Sequence, residues 1–203
     1  MVFISTAPSD PTLIKRLEAD IVECDPDKAI AAGRRDWAGE PFDDDMFPNA
    51  IWGDKHSKRM TRLPHLFYAN GYWCISEAAK TIIEAAELGR TRIRPVPIFQ
   101  RDHTTPVPGR FFCLNIAETK TALAPDASHG LRRNPYAKVD VFNTPFVPKD
   151  GDIAVSAAAL VGAELWKDPA LQRDFFVSSR LGTALADAGM AKAFRLLSCR
   201  VVG

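Results

Sequence analysis

Two serines hold the positions a catalytic nucleophile would take. Ser76 and Ser178 each end an apolar, strand-like run and precede a helix-forming stretch, the order found at the strained elbow of acyl-transfer enzymes. That elbow needs glycines around the serine so that the turn can close. Here the flanks are Ile75 and Glu77, and Val177 and Ser179. A hydroxyl just ahead of a helix also accepts a free N–H of the first turn, so both serines read as helix caps.

Other reactive groups are dispersed. His56, His65, His103 and His129 lie in loops or at segment edges, without the i+3 or i+4 partner of a helical metal site. Cys24, Cys74, Cys113 and Cys199 form no C-x-x-C pair, and the last three sit in apolar runs where a thiol acts as a small hydrophobe. They read as reduced core residues. Asp43, Asp44 and Asp45 could hold a hard cation, but the alternate acids and glycine turn of a calcium loop are missing. No glycine-rich phosphate cradle occurs. We expect no catalytic, cofactor-binding or metal-binding residues, although carboxylates distant in sequence can still meet in space.

Charge narrows the partners. The chain has 203 residues, with 26 Lys+Arg against 25 Asp+Glu, a formal net charge of +1. Nucleic-acid binding draws on phosphate neutralisation and is not expected at this balance. The one dense basic cluster, Lys55, Lys58, Arg59 and Arg62, reads as a solvated loop. No run approaches the ~18 apolar residues of a membrane helix. The start, Met1-Val2-Phe3-Ile4-Ser5, lacks the basic leader and long apolar stretch of a secretory signal, so a cytoplasmic location is expected.

The elements that must position these residues are only partly legible. Asp10-Pro11 opens a predicted first helix, in which Leu13, Ile14, Leu17 and Ile21 recur at helical spacing. Asp25-Pro26 opens a second, short one that Gly33 stops. Residues 34–63 read as irregular, yet they carry Trp37 and Trp52, which favours a loop folded onto the body. Tyr72–Ile75 predicts a strand, Ser76 its cap, Glu77–Leu88 an amphipathic helix and Gly89 its end. Arg92–Phe99 is extended, and Pro95 and Pro97 confine it to an edge or a kink. Near the C-terminus the same order returns. Phe175–Val177 is a strand, Ser178 a cap, Leu181, Ala184, Leu185 and Ala188 a buried stripe, Gly189 a stop, and Ala193–Val202 a strand. Arg110–Ile116 and, more weakly, Lys138–Phe142 are further strands, and 153–169 is open in type.

These patterns predict an α+β fold: a mixed, mostly antiparallel sheet with two strand–serine cap–helix–glycine–strand units, the two units sharing that sheet and helices packed on it. A single domain is expected over 1–203, with a helical and irregular part at 1–62 and an α+β body at 63–203.

A family resemblance rests on particular runs. Leu63-Pro64, Trp73-Cys74-Ile75-Ser76-Glu77 with the helix after it, and Arg94-Pro95-Val96-Pro97-Ile98 resemble the immunity protein 11 family of bacterial polymorphic toxin systems. Phe111-Phe112-Cys113-Leu114-Asn115-Ile116, Leu165-Trp166-Lys167 and Phe175-Phe176-Val177-Ser178 continue it over about residues 60–202, while 1–60 match loosely. His65 stands where family members often carry an acid. The resemblance implies a non-catalytic protein that binds and neutralises a cognate toxin, and it brings no catalytic residues.

For such an interface, Trp37 and Trp52 are the natural aromatic anchors, beside Asp43, Asp44 and Asp45. Two other functions stay open. One is an enzyme or small-molecule binder whose site is assembled from distant residues, and the other is a self-associating module using the Pro95/Pro97 edge.

Overall fold

The structure, a computed structural model, describes residues 1–137, 139–171 and 173–203. In chain order it places β1 (Val2–Ser5), β2 (Ile14–Lys15), β3 (Leu17–Ala19), α1 (Asp20–Cys24), α2 (Pro26–Ala38), β4 (Ile51–Gly53), β5 (Leu66–Ala69) and β6 (Tyr72–Ser76). Next come α3 (Glu77–Glu84), β7 (Arg92–Val96), β8 (Ile98–Phe99) and β9 (Phe111–Asn115). The remainder comprises β10 (Arg132–Arg133), β11 (Phe142–Asn143), β12 (Ala154–Ser156), β13 (Leu165–Lys167), β14 (Phe175–Ser178), α4 (Ser179–Asp187) and β15 (Leu196–Val202).

The chain divides into two compact units. A terminal unit takes Met1–Asp10, Glu84–Gly89 and Glu118–Gly203, and a middle unit takes Pro11–Ile83 and Arg90–Ala117. The terminal unit holds a five-stranded sheet, β12-β15-β1-β14-β13, and the hairpin β10-β11. The middle unit holds a five-stranded sheet, β2-β5-β6-β9-β7, and a three-stranded one, β3-β4-β8. Most pairings are antiparallel, and β12/β15, β2/β5 and β4/β8 are parallel. The α+β class read from the sequence holds.

The two strand–helix units lie in separate sheets rather than in a shared one, and their internal order is the same. In the middle unit β5 pairs with β6, Ser76 caps α3, and the chain returns as β7. In the terminal unit β13 pairs with β14, Ser178 caps α4, and the chain returns as β15. Each time the strands before and after the helix flank a third strand antiparallel to both, β9 in one sheet and β1 in the other. The third strand follows its unit in one case and comes from the N-terminus in the other.

Several local expectations need correction. The predicted helix over 11–21 is a 3₁₀ turn (Pro11–Leu13), then β2 and β3, with α1 beginning only at Asp20. Leu13, Leu17 and Ile21 are spaced by four, which suits a period of two as well as one of 3.6. Pairing decides the outcome: Leu17 faces Gly53 and Ala19 faces Ile51, with Leu17 and Ala19 buried, while Ile14 is exposed. Gly33 does not stop the second helix. α2 runs on to Ala38, and Gly39, at φ 67°, ends it in the left-handed conformation. A mid-helix glycine costs only about 1 kcal/mol, which the contacts of the residues around it outweigh.

Residues 34–63 are less irregular than expected, since they hold the end of α2 and β4 and bury Phe42, Phe47, Ile51 and Trp52. α3 ends at Glu84, short of Leu88, because the Glu87 N–H goes to Glu164 Oε2 at 2.9 Å instead of to a helix carbonyl. Ala184 and Ala188 are exposed, and α4 buries Leu181, Gly182 and Leu185. The ambiguous 153–169 stretch comprises β12, a 3₁₀ turn and β13. Of the weaker strand at Lys138–Phe142, Lys138 lies outside the described residues, and pairing is seen at Phe142–Asn143. The prolines act as expected: β7 is the edge of its sheet, and beyond Pro97 the chain enters β8 in the other sheet.

Candidate partner-binding surfaces

α2 carries the first candidate. Asp25 caps it, accepting the Lys28 N–H at 3.0 Å, with Pro26 in the first turn. Its buried side is Ala32. Ile30 and Trp37, two turns apart on one stripe, face outward at 54% and 55% exposure. Between them Gly33 has open space where a Cβ would stand.

The acidic run folds beside this helix and is fully engaged. Asp43 pairs with Arg35 at 2.9 Å and Asp45 with Lys28 at 2.9 Å, while Asp44 pairs with Arg92. The Lys28 ammonium holds the Asp45 carboxyl below the usual carboxylate range. Arg92 also donates to the Phe42 carbonyl at 2.5 Å, Arg94 donates to the Asp44 carbonyl, and both guanidiniums lie over the Phe47 ring. The run therefore straps the turn to α2 and β7, with its carboxylates still exposed.

Of the predicted site residues, the structure brings Trp37 and Asp43–Asp45 to α2 and the turn tied to it. Trp52 is elsewhere on the unit. On β4 it is 8% exposed, its Nε1 donates to Glu18 Oε2 at 3.3 Å, and its ring stacks on His103 at 4.3 Å.

A second surface of the middle unit surrounds the basic cluster. Lys55, Lys58, Arg59 and Arg62 are exposed, and two clefts, of about 430 and 670 Å³, flank the 57–59 stretch.

The two cap serines have different surroundings. In the middle unit Ser76 Oγ accepts the Ala79 N–H at 3.3 Å and lies 2.7 Å from His65 Nδ1. Sequence reading missed this pair, because nothing local links positions 65 and 76 until β5 and β6 align them. A nucleophile beside a base also needs an orienting group on the far nitrogen, and among the described residues His65 has no such partner. The geometry supports a cap, with His65 hydrogen-bonded to it.

In the terminal unit Ser178 accepts the Leu181 N–H at 3.1 Å and donates to Glu164 Oε1 at 2.6 Å. Glu164 also takes Arg180 Nε at 2.9 Å. Burial opposes its ionisation, but Arg180, Ser178 and the Glu87 amide outweigh burial and hold the carboxyl at about 2. This cluster floors a cleft of about 500 Å³ that also takes in Lys120 and Leu160. Each acceptor of Glu164 is already occupied, so the cluster is built to hold β14 and the 87 turn together. Among the described residues no group of three His, Cys, Asp or Glu is placed to hold a metal ion, and no helix is long and apolar enough to cross a membrane.

Residues 24–196 match the family model described as an immunity protein family, Imm11. The match begins well before residue 60, so it takes in α2, Trp37 and the acidic turn as well as the α+β body. No curated protein matches the chain.

Proposed function

We propose that this chain, which belongs to the Imm11 immunity protein family, neutralises a cognate bacterial toxin in the cytoplasm by binding it, without catalysis of its own. The observation that carries the reading is the family match over 24–196.

The surface we assign to the toxin is the outward stripe of α2 with the turn strapped to it. Trp37 supplies the anchor, a large rigid side chain of the kind that dominates binding energy. Asp43, Asp44 and Asp45 form its polar rim, and their ion pairs hold the turn in place before the partner arrives, which lowers the ordering cost of binding. Trp52 supports the same unit from below its surface.

The test is a titration of the chain against the toxin domain encoded beside it, with growth rescue on co-expression as the second readout. A tight equimolar complex and rescue are expected. Trp37→Ala should weaken the complex by about 2 kcal/mol or more. A toxin that kills equally with and without the chain would end this reading.

A further inference from the structure

The basic cluster differs from an ordinary solvated loop in how its charges are matched. Among the described residues Lys58, Arg59 and Arg62 form no ion pair. The two acids beside the cluster, Asp54 and Asp102, accept hydrogen bonds from neutral loop groups and, among the described residues, form no ion pair with these cations. Asp54 accepts the His56 N–H at 2.8 Å, and the Ser57 hydroxyl oxygen lies 3.0 Å from it. Asp102 takes the amides of Thr104 and Thr105 at 3.0 and 2.8 Å and the Thr105 hydroxyl at 2.5 Å, and these bonds hold its carboxyl at about 2. Neutral donors leave both carboxylates ionised, but Lys55, Lys58, Arg59, Arg62, Arg16 and Arg101 outnumber them, so this part of the middle unit carries a local excess of positive charge in a chain of net charge +1.

The segment is also fixed. The Gln100 amide clamps Met60 from both sides, Oε1 accepting its N–H at 2.9 Å and Nε2 donating to its carbonyl at 2.7 Å. Ser57 donates to the Arg16 carbonyl, and Arg101 donates to the Lys55 carbonyl at 3.3 Å. The larger of the two flanking clefts has Met60, Leu63 and Pro64 in its wall beside Arg16, Lys58 and Arg62. Cations around a cleft of about 670 Å³ with one apolar stretch of wall match a folded polypeptide that presents carboxylates around apolar side chains. A phosphate backbone would instead need a continuous basic track.

We infer that the 55–62 segment, with Arg16 and Arg101, is a docking surface for an acidic face of a partner protein. The inference rests on the immunity reading, and that partner is the toxin. Charges of this kind act chiefly on association, by steering the encounter.

The experiment measures binding kinetics of the full chain on the immobilised toxin domain from the same locus, inactivated by substitution, at about 50 and 300 mM sodium chloride. Lys58→Glu/Arg59→Glu/Arg62→Glu should slow association by roughly 10- to 100-fold at low salt. It should also flatten the salt dependence, with dissociation little changed. The neutral Arg59→Gln/Arg62→Gln should shift the same way by less, which guards against a disturbed loop. Unchanged association in both variants, with wild type binding tightly, overturns the docking surface and leaves the immunity reading intact. A wild-type chain that does not bind overturns both. Binding of a short mixed-sequence duplex DNA that the charge reversal abolishes would reassign the surface to nucleic acid and overturn the inference.

Discussion

The Asn115 side chain on β9 accepts the Phe42 N–H at 2.9 Å, joining two residues 73 positions apart. Its Nδ2 donates to the Glu40 carbonyl at 3.2 Å, and the residue is fully buried. One amide therefore fixes the backbone between the end of α2 and the acidic turn. The family-like strand 111–116 thus contains a residue whose work is done on the segment that presents Trp37 and Asp43–Asp45.

Replacing Asn115 with leucine keeps the branched shape but leaves the Phe42 N–H and the Glu40 carbonyl without their partner. We expect a loss of about 1–3 kcal/mol in chemical unfolding, the cost of leaving the buried Phe42 N–H unsatisfied, since the Glu40 carbonyl is only part-buried. Binding should weaken as well, because the turn loses its tether. A variant as stable as wild type would contradict this role.

Gly182 lies in α4 directly on Phe3 of β1. A Cβ there would stand 2.3 Å from Phe3 Cδ2. Helix propensity alone favours alanine by about 1 kcal/mol, whereas overpacking costs about 1–3 kcal/mol. Crowding should win, so Gly182→Ala lowers the melting temperature, and Phe3→Leu in the same chain recovers part of the loss. A melting temperature raised by the single substitution would show that the helix shifts freely on the sheet.

Two buried carboxyls of the terminal unit give stability opposite pH dependences. Burial pushes Asp174 up to about 7, although Thr144, at 2.8 Å, and Ser9 donate to it. Its folded pKa is above the unfolded 3.8, so its contribution is complete below pH ~4 and is lost as pH rises to ~7. That amounts to about 4 kcal/mol at about 1.4 kcal/mol per unit. Glu164, held at about 2 against 4.5 unfolded, contributes fully above the latter value and loses its contribution as pH falls through the former. Denaturation across pH should show Asp174→Asn flattening the neutral limb and raising stability at pH ~8, and Glu164→Gln flattening the acid limb. A neutral limb unchanged in Asp174→Asn would place the titration elsewhere.

Cys74 and Cys113 face each other across β6 and β9 with their sulfurs 4.0 Å apart, and both are buried, as is Cys199. Burial drives the Cys113 and Cys199 thiols up, the latter to about 12. A thiol reagent should therefore titrate Cys24 alone in the native protein and all four cysteines after denaturation. Rapid native labelling of Cys74 or Cys113 would mean that β6 and β9 separate readily.

What the sequence made legible was local. Ser76 and Ser178 sit ahead of helices, Gly89 and Gly189 adopt positive φ after them, and the proline-bearing strand is an edge. Each follows from one residue's own chemistry. The failures needed partners distant in sequence. Leu17 and Ala19 became strand because β4 was there to pair, and α2 passed Gly33 with its neighbours tied to the acidic turn. Of the proposed interface, the exposure of Trp37 and the burial of Trp52 depend on which face of its element each ring occupies. The matching of Lys58, Arg59 and Arg62 against Asp54 and Asp102 depends on loop hydrogen bonds that no spacing rule reports.

We propose that the chain binds and silences a toxin through its middle unit. The most direct measurement is co-expression with the toxin domain from its own locus, scoring growth and recovering the complex from the same cells. We predict that the wild-type chain restores growth and co-purifies in equimolar amount, and that Trp37→Ala, folded as judged by its unfolding curve, loses most of both. Full toxicity with the wild-type chain present, or rescue by Trp37→Ala equal to wild type, would contradict the claim, the first for the function and the second for the surface.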